Sequence, residues 1–277
     1  MLPDEYPTRY LHIAGGLAAG GTLTRISPNI NINLQLQTVA PVDLPSVGGK
    51  TEASASGVVV RGRDAGIASL APEMMEKELF SVASAKSLVQ SDTMVAGGPA
   101  GSRTEIEVKS VSIAGGEVSI DLCRLMMRSV HERQNEFPRM SLEGTDIAGL
   151  RLGNHLLELT LDLDPFNRYA TLADLEQDFK SNPQIKKDLS SRFVIDPKTG
   201  GFYRNKSGYV VGSILKSVKG LPPGATLNGY IIDWPSFGKI IIGEVFMGAY
   251  VRRATLVRIV HSDGDISSGC TGGSWYP

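Results

Sequence analysis

Between Ile30 and Gln37 apolar and amide side chains alternate without a break. Ile30, Ile32, Leu34 and Leu36 occupy one phase, and Asn31, Asn33, Gln35 and Gln37 the other, with Asn29 just ahead. A strict period of two fits a β-strand and no helix, because successive strand side chains point to opposite faces. The polar phase is unusual in kind. Lys, Glu and Thr are the common choices for a solvent face, whereas neutral amides suit three other settings: a sheet interface between identical chains, a surface that hydrogen-bonds hydroxyls, or burial under the rest of the chain.

The strand also lacks the lysine, proline or inward charge that keeps a sheet edge from recruiting a neighbour. It closes a region, residues 11–42, that carries a single formal charge, Arg25, and opens with the cluster "GGLAAGG" from Gly15 to Gly21. Residues 1–50 therefore read as an extended arm, followed by one β-rich domain over 51–277. The glycine cluster reads as a tight turn. As a phosphate loop it fails, because Gly21 stands where a lysine must follow Gly20.

The rest of the chain repeats the β grammar. "TEIEVKSVSIAGGEVSIDLCRLM" is a hairpin turning at Gly115-Gly116, with Cys123 on the polar phase of its second strand. In "LLELTLDLD" Leu157, Leu159, Leu161 and Leu163 alternate with Glu158, Thr160, Asp162 and Asp164. "GYVVGSILKSV", "ATLNGYIIDW", "GKIIIGEVFM" and "VRRATLVRIVHS" follow, divided by glycine and proline turns. Strands at intervals of about ten residues point to an antiparallel sandwich or barrel-like architecture. Only residues 169–193 change period. Thr171 caps a turn holding Leu172, Leu175 and Phe179, and Pro183 starts a series of Ile185, Leu189 and Phe193, which predicts two short amphipathic helices inserted between strands.

Composition excludes several functions. Hydrophobic residues at 42% and charged residues at 21% describe a folded chain, and a net charge of −1 is wrong for a dedicated nucleic-acid binder. No apolar run reaches membrane-spanning length. The start "MLPDEYPTRYLHIAGG" lacks the basic-then-apolar order of a signal peptide, so a cytoplasmic protein or export by a non-classical route is expected.

Reactive constellations are scarce. His12, His131, His155 and His261 share no metal-ligand spacing with one another or with the cysteines, and no cofactor is expected. Cys123 and Cys270 make either one bridge or two separate thiols. "DGDISSG" places Asp263, Asp265 and Ser267 like a calcium loop, but Ser268 replaces the glycine and Ser274 the final glutamate, so a plain turn is the better reading. Glu158, Asp162 and Asp164 read as a solvated acidic face.

The segment "TEIEVKSVSIAGGEVSIDLCRL" with "LEGTDIAGLRLGNHLLEL", about residues 100–165, resembles the repeated core of secreted bacterial proteins called choice-of-anchor P. The resemblance implies a place outside the cell and implies no activity.

The resulting expectation is a non-enzymatic protein that self-associates into a homo-oligomer or filament. Its interface would be Asn29, Asn31, Asn33, Gln35 and Gln37 with Ile30, Ile32, Leu34 and Leu36, joined by Trp275 and Tyr276 of the glycine-rich tail. The alternative is a carbohydrate-binding or glycan-modifying module using the amides and the rings of Tyr230, Trp234, Phe237, Trp275 and Tyr276. That reading requires a groove with exposed rings.

Overall fold

The computed structural model describes residues 11–27, 30–45, 48–66, 70–91, 100–132, 138–169, 171–235, 237–248, 251–261 and 264–275, the side chains of 11–13, 23–27, 30–33, 261 and 264–275 excepted. Along the chain come β1 (Leu11–Ser27), β2 (Ile30–Val39), β3 (Val42–Asp43) and β4 (Lys50–Arg61), then a 3-10 turn (Gly62–Ala65) and α1 (Pro72–Met75). Next are β5 (Glu78–Ser91), β6 (Ala100–Ile113), β7 (Val118–His131), β8 (Arg139–Ser141), β9 (Asp146–Ala148), β10 (Arg151–Leu152), β11 (His155–Leu156) and β12 (Glu158–Leu161). The helices α2 (Asp164–Arg168), α3 (Leu172–Ser181) and α4 (Pro183–Leu189) interrupt the strands. The chain closes with β13 (Val210–Ser213), β14 (Leu215–Lys219), β15 (Thr226–Asn228), β16 (Ile231–Trp234), β17 (Gly238–Met247), β18 (Val251–His261) and β19 (Gly264–Trp275).

The strands form two large open antiparallel sheets. One runs β15-β16-β17-β18-β19-β1-β2, with β13 on β17 and β3 on β1; the other runs β11-β10-β7-β6-β5-β4, with β8 and β9 on β7. They stack as a sandwich: β1 lies over β5 and β6, and β19 over β6 and β7. Thr171 caps α3 by accepting from the Asp174 N–H, and Pro183 opens α4, as the sequence predicts. Packed rings fill the region under these helices, with Phe193 stacked on Phe166 at 5.7 Å and on Phe202 at 4.6 Å.

Two expectations are corrected. The "GGLAAGG" cluster is no turn but the middle of β1, and the glycine-rich tail is β19, lying between β18 and β1 with both edges in use. Glycine in a strand marks a close approach of backbones. Cα atoms of β1 come within 8 Å of those of β5 and β6, closer than the usual ~10 Å between stacked sheets. Ala14, Ala18 and Ala19 are buried in this region, Ala14 in one cluster with Val42, Leu44 and Val89 of β5. β1, β2 and β3, expected as part of an arm reaching a neighbour, thus pair within the chain.

The second sheet is creased. Ala55, Ala85, Val108, Cys123 and Ile147 form one inward row across β4, β5, β6, β7 and β9. Val58, Val82, Val111 and Ile120 form the next, which Leu150 extends. Within every strand the two rows are three residues apart instead of two. One extra residue per strand falls on the outside, and the facing phase flips. Gly57, Ser110 and Gly149 sit on this line with φ of 62°, 51° and 66°. The flip puts Cys123 in the core, opposite to its expected phase.

Nothing lies within 4 Å of a Cβ built on Gly57, so any penalty there comes from the backbone alone. Gly57→Val should cost about 1–2 kcal/mol and Gly57→Asn distinctly less. Urea midpoints at unchanged m-value measure this; equal losses for both variants would contradict it.

Candidate functional site

β2 ends the first sheet. Its inner edge pairs with β1, and among the described residues no backbone hydrogen bond joins Ile30–Val39 to any other strand. A ten-residue strand offers a template of roughly 30 Å of alternating donors and acceptors. Leu36 is buried at 2% exposure, and Leu34 packs with Leu70 and Leu79 beneath α1, so the apolar phase faces inward. Gln35 and Gln37 face outward and are exposed. The Gln35 amide is held in place: its Nε2 donates to the Gly21 carbonyl at 3.1 Å, and its Oε1 accepts from Thr22 Oγ1 at 3.0 Å. Thr22 escaped the sequence reading because it sits in a strand read as a turn.

Ile30, Asn31, Ile32 and Asn33 lie in the same strand, their side chains outside the described set, and Trp275 ends β19 opposite Leu11. Asn29 and Tyr276 lie outside the described residues. The structure therefore brings Leu34, Gln35, Leu36 and Gln37 to one edge, while β19 has no backbone edge left to offer.

The other edges are guarded or short. β4 carries Lys50 and Glu52 near its start and the crease at Gly57. Glu52 lies 3.1 Å from the Lys86 ammonium and 3.2 Å from that of Lys50. Hydrogen bonds from these two lysines, Lys86 first, hold its carboxyl below the ordinary glutamate value. Charges and a kink are the usual protection of an edge. β15 has three residues and β11 two.

Among the described residues, the candidates for reactive chemistry do not assemble into a centre. Burial pushes the Cys123 thiol up to about 12, Asp146 adding to the effect, which is the opposite of an activated nucleophile. Among the described residues no group of His, Cys, Asp and Glu could hold a metal. Asp162 belongs to a half-buried ion pair rather than to a solvated face, accepting from the buried Arg192 Nη1 at 2.8 Å. Tyr230 and Phe237 are buried, and Trp234 packs on Phe237 at 5.8 Å, so these rings form no exposed stacking surface. Among the described residues no helix is long and apolar enough to cross a membrane.

Comparison with known proteins places residues 10–248 in a family described as a domain of unknown function (DUF8256), to which the chain belongs. No curated protein and no solved structure matches it.

A Cys270→Ser variant should show no rapid reaction of Cys123 with a thiol reagent in the folded state, and one full equivalent in denaturant. Fast native labelling would contradict the buried placement.

Proposed function

We propose that this member of the DUF8256 family is a building block that pairs with a second copy of itself along the outer edge of β2. The observation that carries the reading is the character of that edge, ten residues long and free of charge and proline. The opposite edge of the same sheet, β15, is too short to receive it. Head-to-tail growth would match ten residues to three, whereas β2 against β2 is self-complementary in length and chemistry. Antiparallel pairing about a two-fold axis then closes the assembly as a dimer with one continuous sheet. The outward amides of both copies meet at the seam, where side-chain amides donate and accept in either sense. The likeness of residues 100–165 to secreted proteins supports a place for this assembly outside the cell.

Sedimentation across a concentration series tests the reading. The chain, 29.7 kDa, should shift to twice that mass. Gln37→Lys, which adds a positive charge to the edge of each copy without touching the buried phase, should weaken the dimer about tenfold while circular dichroism stays unchanged. A monomer at every concentration, or a lysine variant that associates as well as the parent, would overturn it. Masses rising beyond the dimer would keep self-association and reject two-fold closure.

A further inference from the structure

Away from β2, the outer face of the creased sheet carries its charges in rows across the strands. In one row Lys86, Glu107, Arg124 and Asp146 stand side by side with alternating sign. Arg124 Nη2 donates to Glu107 at 2.6 Å there, as expected of complementary cross-strand partners. Four residues further along each strand the pattern breaks. Lys50, Gln90, Arg103, Arg128 and Ser141 are register partners in succession over β4, β5, β6, β7 and β8. Every side chain in this row carries a hydrogen-bond donor, and Arg103 stands directly opposite Arg128.

Like charges in direct opposition destabilise a sheet unless something neutralises them. Lys50 pairs with Glu52 and Arg103 with Glu105, each two residues along its own strand. Arg128 has Met126 at that position, and among the described residues it makes no ion pair. Arg139, next to Val130 on β8, adds a further exposed cation.

A groove of about 360 Å³ opens at this spot, lined by Arg103, Met126, Arg128, Ser141 and Glu143 among others. Its wall is fixed. Thr145 Oγ1 accepts from the Met126 N–H at 3.1 Å and donates to the Met126 carbonyl at 3.2 Å. Gly144, at φ 82°, leaves room for the Met126 sulfur where a Cβ would approach to 2.6 Å. Behind β8, the buried Arg252 donates to the Met140 carbonyl at 2.8 Å, and Asn167 Oδ1 accepts from the Leu142 N–H at 2.7 Å, holding Ser141 in place.

We propose that this groove binds an oxyanion, a phosphate or sulfate group, between the guanidinium groups of Arg103 and Arg128 with the Ser141 hydroxyl as a third donor. Arginine suits the task because its planar fork matches two oxygens of such a group. Glu143 on the rim and Glu105, the ion-pair partner of Arg103, are the carboxylates that oppose the anion, so the charges of Glu143 and Arg128 act on affinity with opposite sign.

Calorimetric titration at low ionic strength with inorganic sulfate, and separately with dextran sulfate, is the test. Sulfate should saturate with a Kd of the order of millimolar. Arg128→Gln should weaken it at least about tenfold, Arg128→Lys less, and Glu143→Gln should strengthen it a few fold. Much tighter binding of dextran sulfate, also lost in Arg128→Gln, identifies a polymer-borne group as the natural source; equal binding per sulfate identifies a free ion. With a net charge of −1 the chain has no general attraction for polyanions. Absence of saturable binding of either probe to a folded protein, or binding unchanged in both charge variants, overturns the proposal.

Discussion

The antiparallel pairing of the first strand with the last holds the molecule's candidate surface in position. β1 contributes ten of its residues to a register with β19 that runs from Leu11↔Trp275 to Thr22↔Asp265, and it carries β2 on its other side. Remove that ladder and β2 has no sheet to terminate. Small side chains bury little apolar area, so the hydrophobic term per residue is weak here. What accompanies it is the close approach of the two sheets and the backbone ladder from β1 to β19, interrupted by one register shift between Leu17 and Gly20. The neutrality of β1 follows from the same geometry: a central strand under a facing sheet has little room for a charge, and the single one present, Arg25, lies near the far end of β1.

Polar atoms tie the helical insertion to this frame. Arg252, 2% exposed, projects from β18 with no carboxylate partner in hydrogen-bond reach among the described residues. Its guanidinium donates to the carbonyls of Met140, Phe166 and Tyr169, the last two at the C-terminal end of α2. Burial lowers its pKa to about 10, which still leaves it charged at neutral pH. A buried cation is costly unless its donors are satisfied, and carbonyls at a helix C-terminus supply both acceptors and the negative end of the helix dipole. Arg192, three residues past the end of α4, does similar work, donating to the Asp162 carboxylate, the Asp162 carbonyl and the Ser213 carbonyl. Through Arg252 the first sheet fixes β8, so the position of Ser141 on the second sheet depends on a side chain from the first.

How far the fold was legible depended on whether the signal was local. The helices at 172–189 were readable because a cap, a proline and an apolar spacing all lie within one segment. The glycine-rich segments were misread because a glycine gives the same local signal in a turn and in a strand pressed against another backbone; only the facing sheet distinguishes them. The crease was invisible for a different reason. In any one strand, Val82 followed by Ala85, or Ile120 followed by Cys123, is an unremarkable lapse of alternation. Its meaning appears when the register aligns five such lapses on one line. The amide edge was legible as chemistry, but its place at the end of a sheet was not. The donor row escaped altogether, since Gln90, Arg103, Arg128 and Ser141 are neighbours only after four strands have paired.

The two surfaces differ in a way that makes them compatible. β2 ends the first sheet and depends on the absence of charge; the donor row lies on the outer face of the second sheet and depends on an excess of it. Neither occupies the other's ground, because backbone pairing at an edge extends a sheet sideways and leaves the faces of the opposite sheet uncovered. A two-fold pair would therefore display two donor rows in fixed relative orientation. For a free ion this changes nothing, since each row acts alone. For a polymer carrying many oxyanions, the second row binds at an effective concentration set by the rigid pair rather than by dilution, and a millimolar contact can become a far stronger one without any new bond. Association at the bare edge and recognition on the charged face would then be parts of one device, with the weaker site gaining its strength from the assembly.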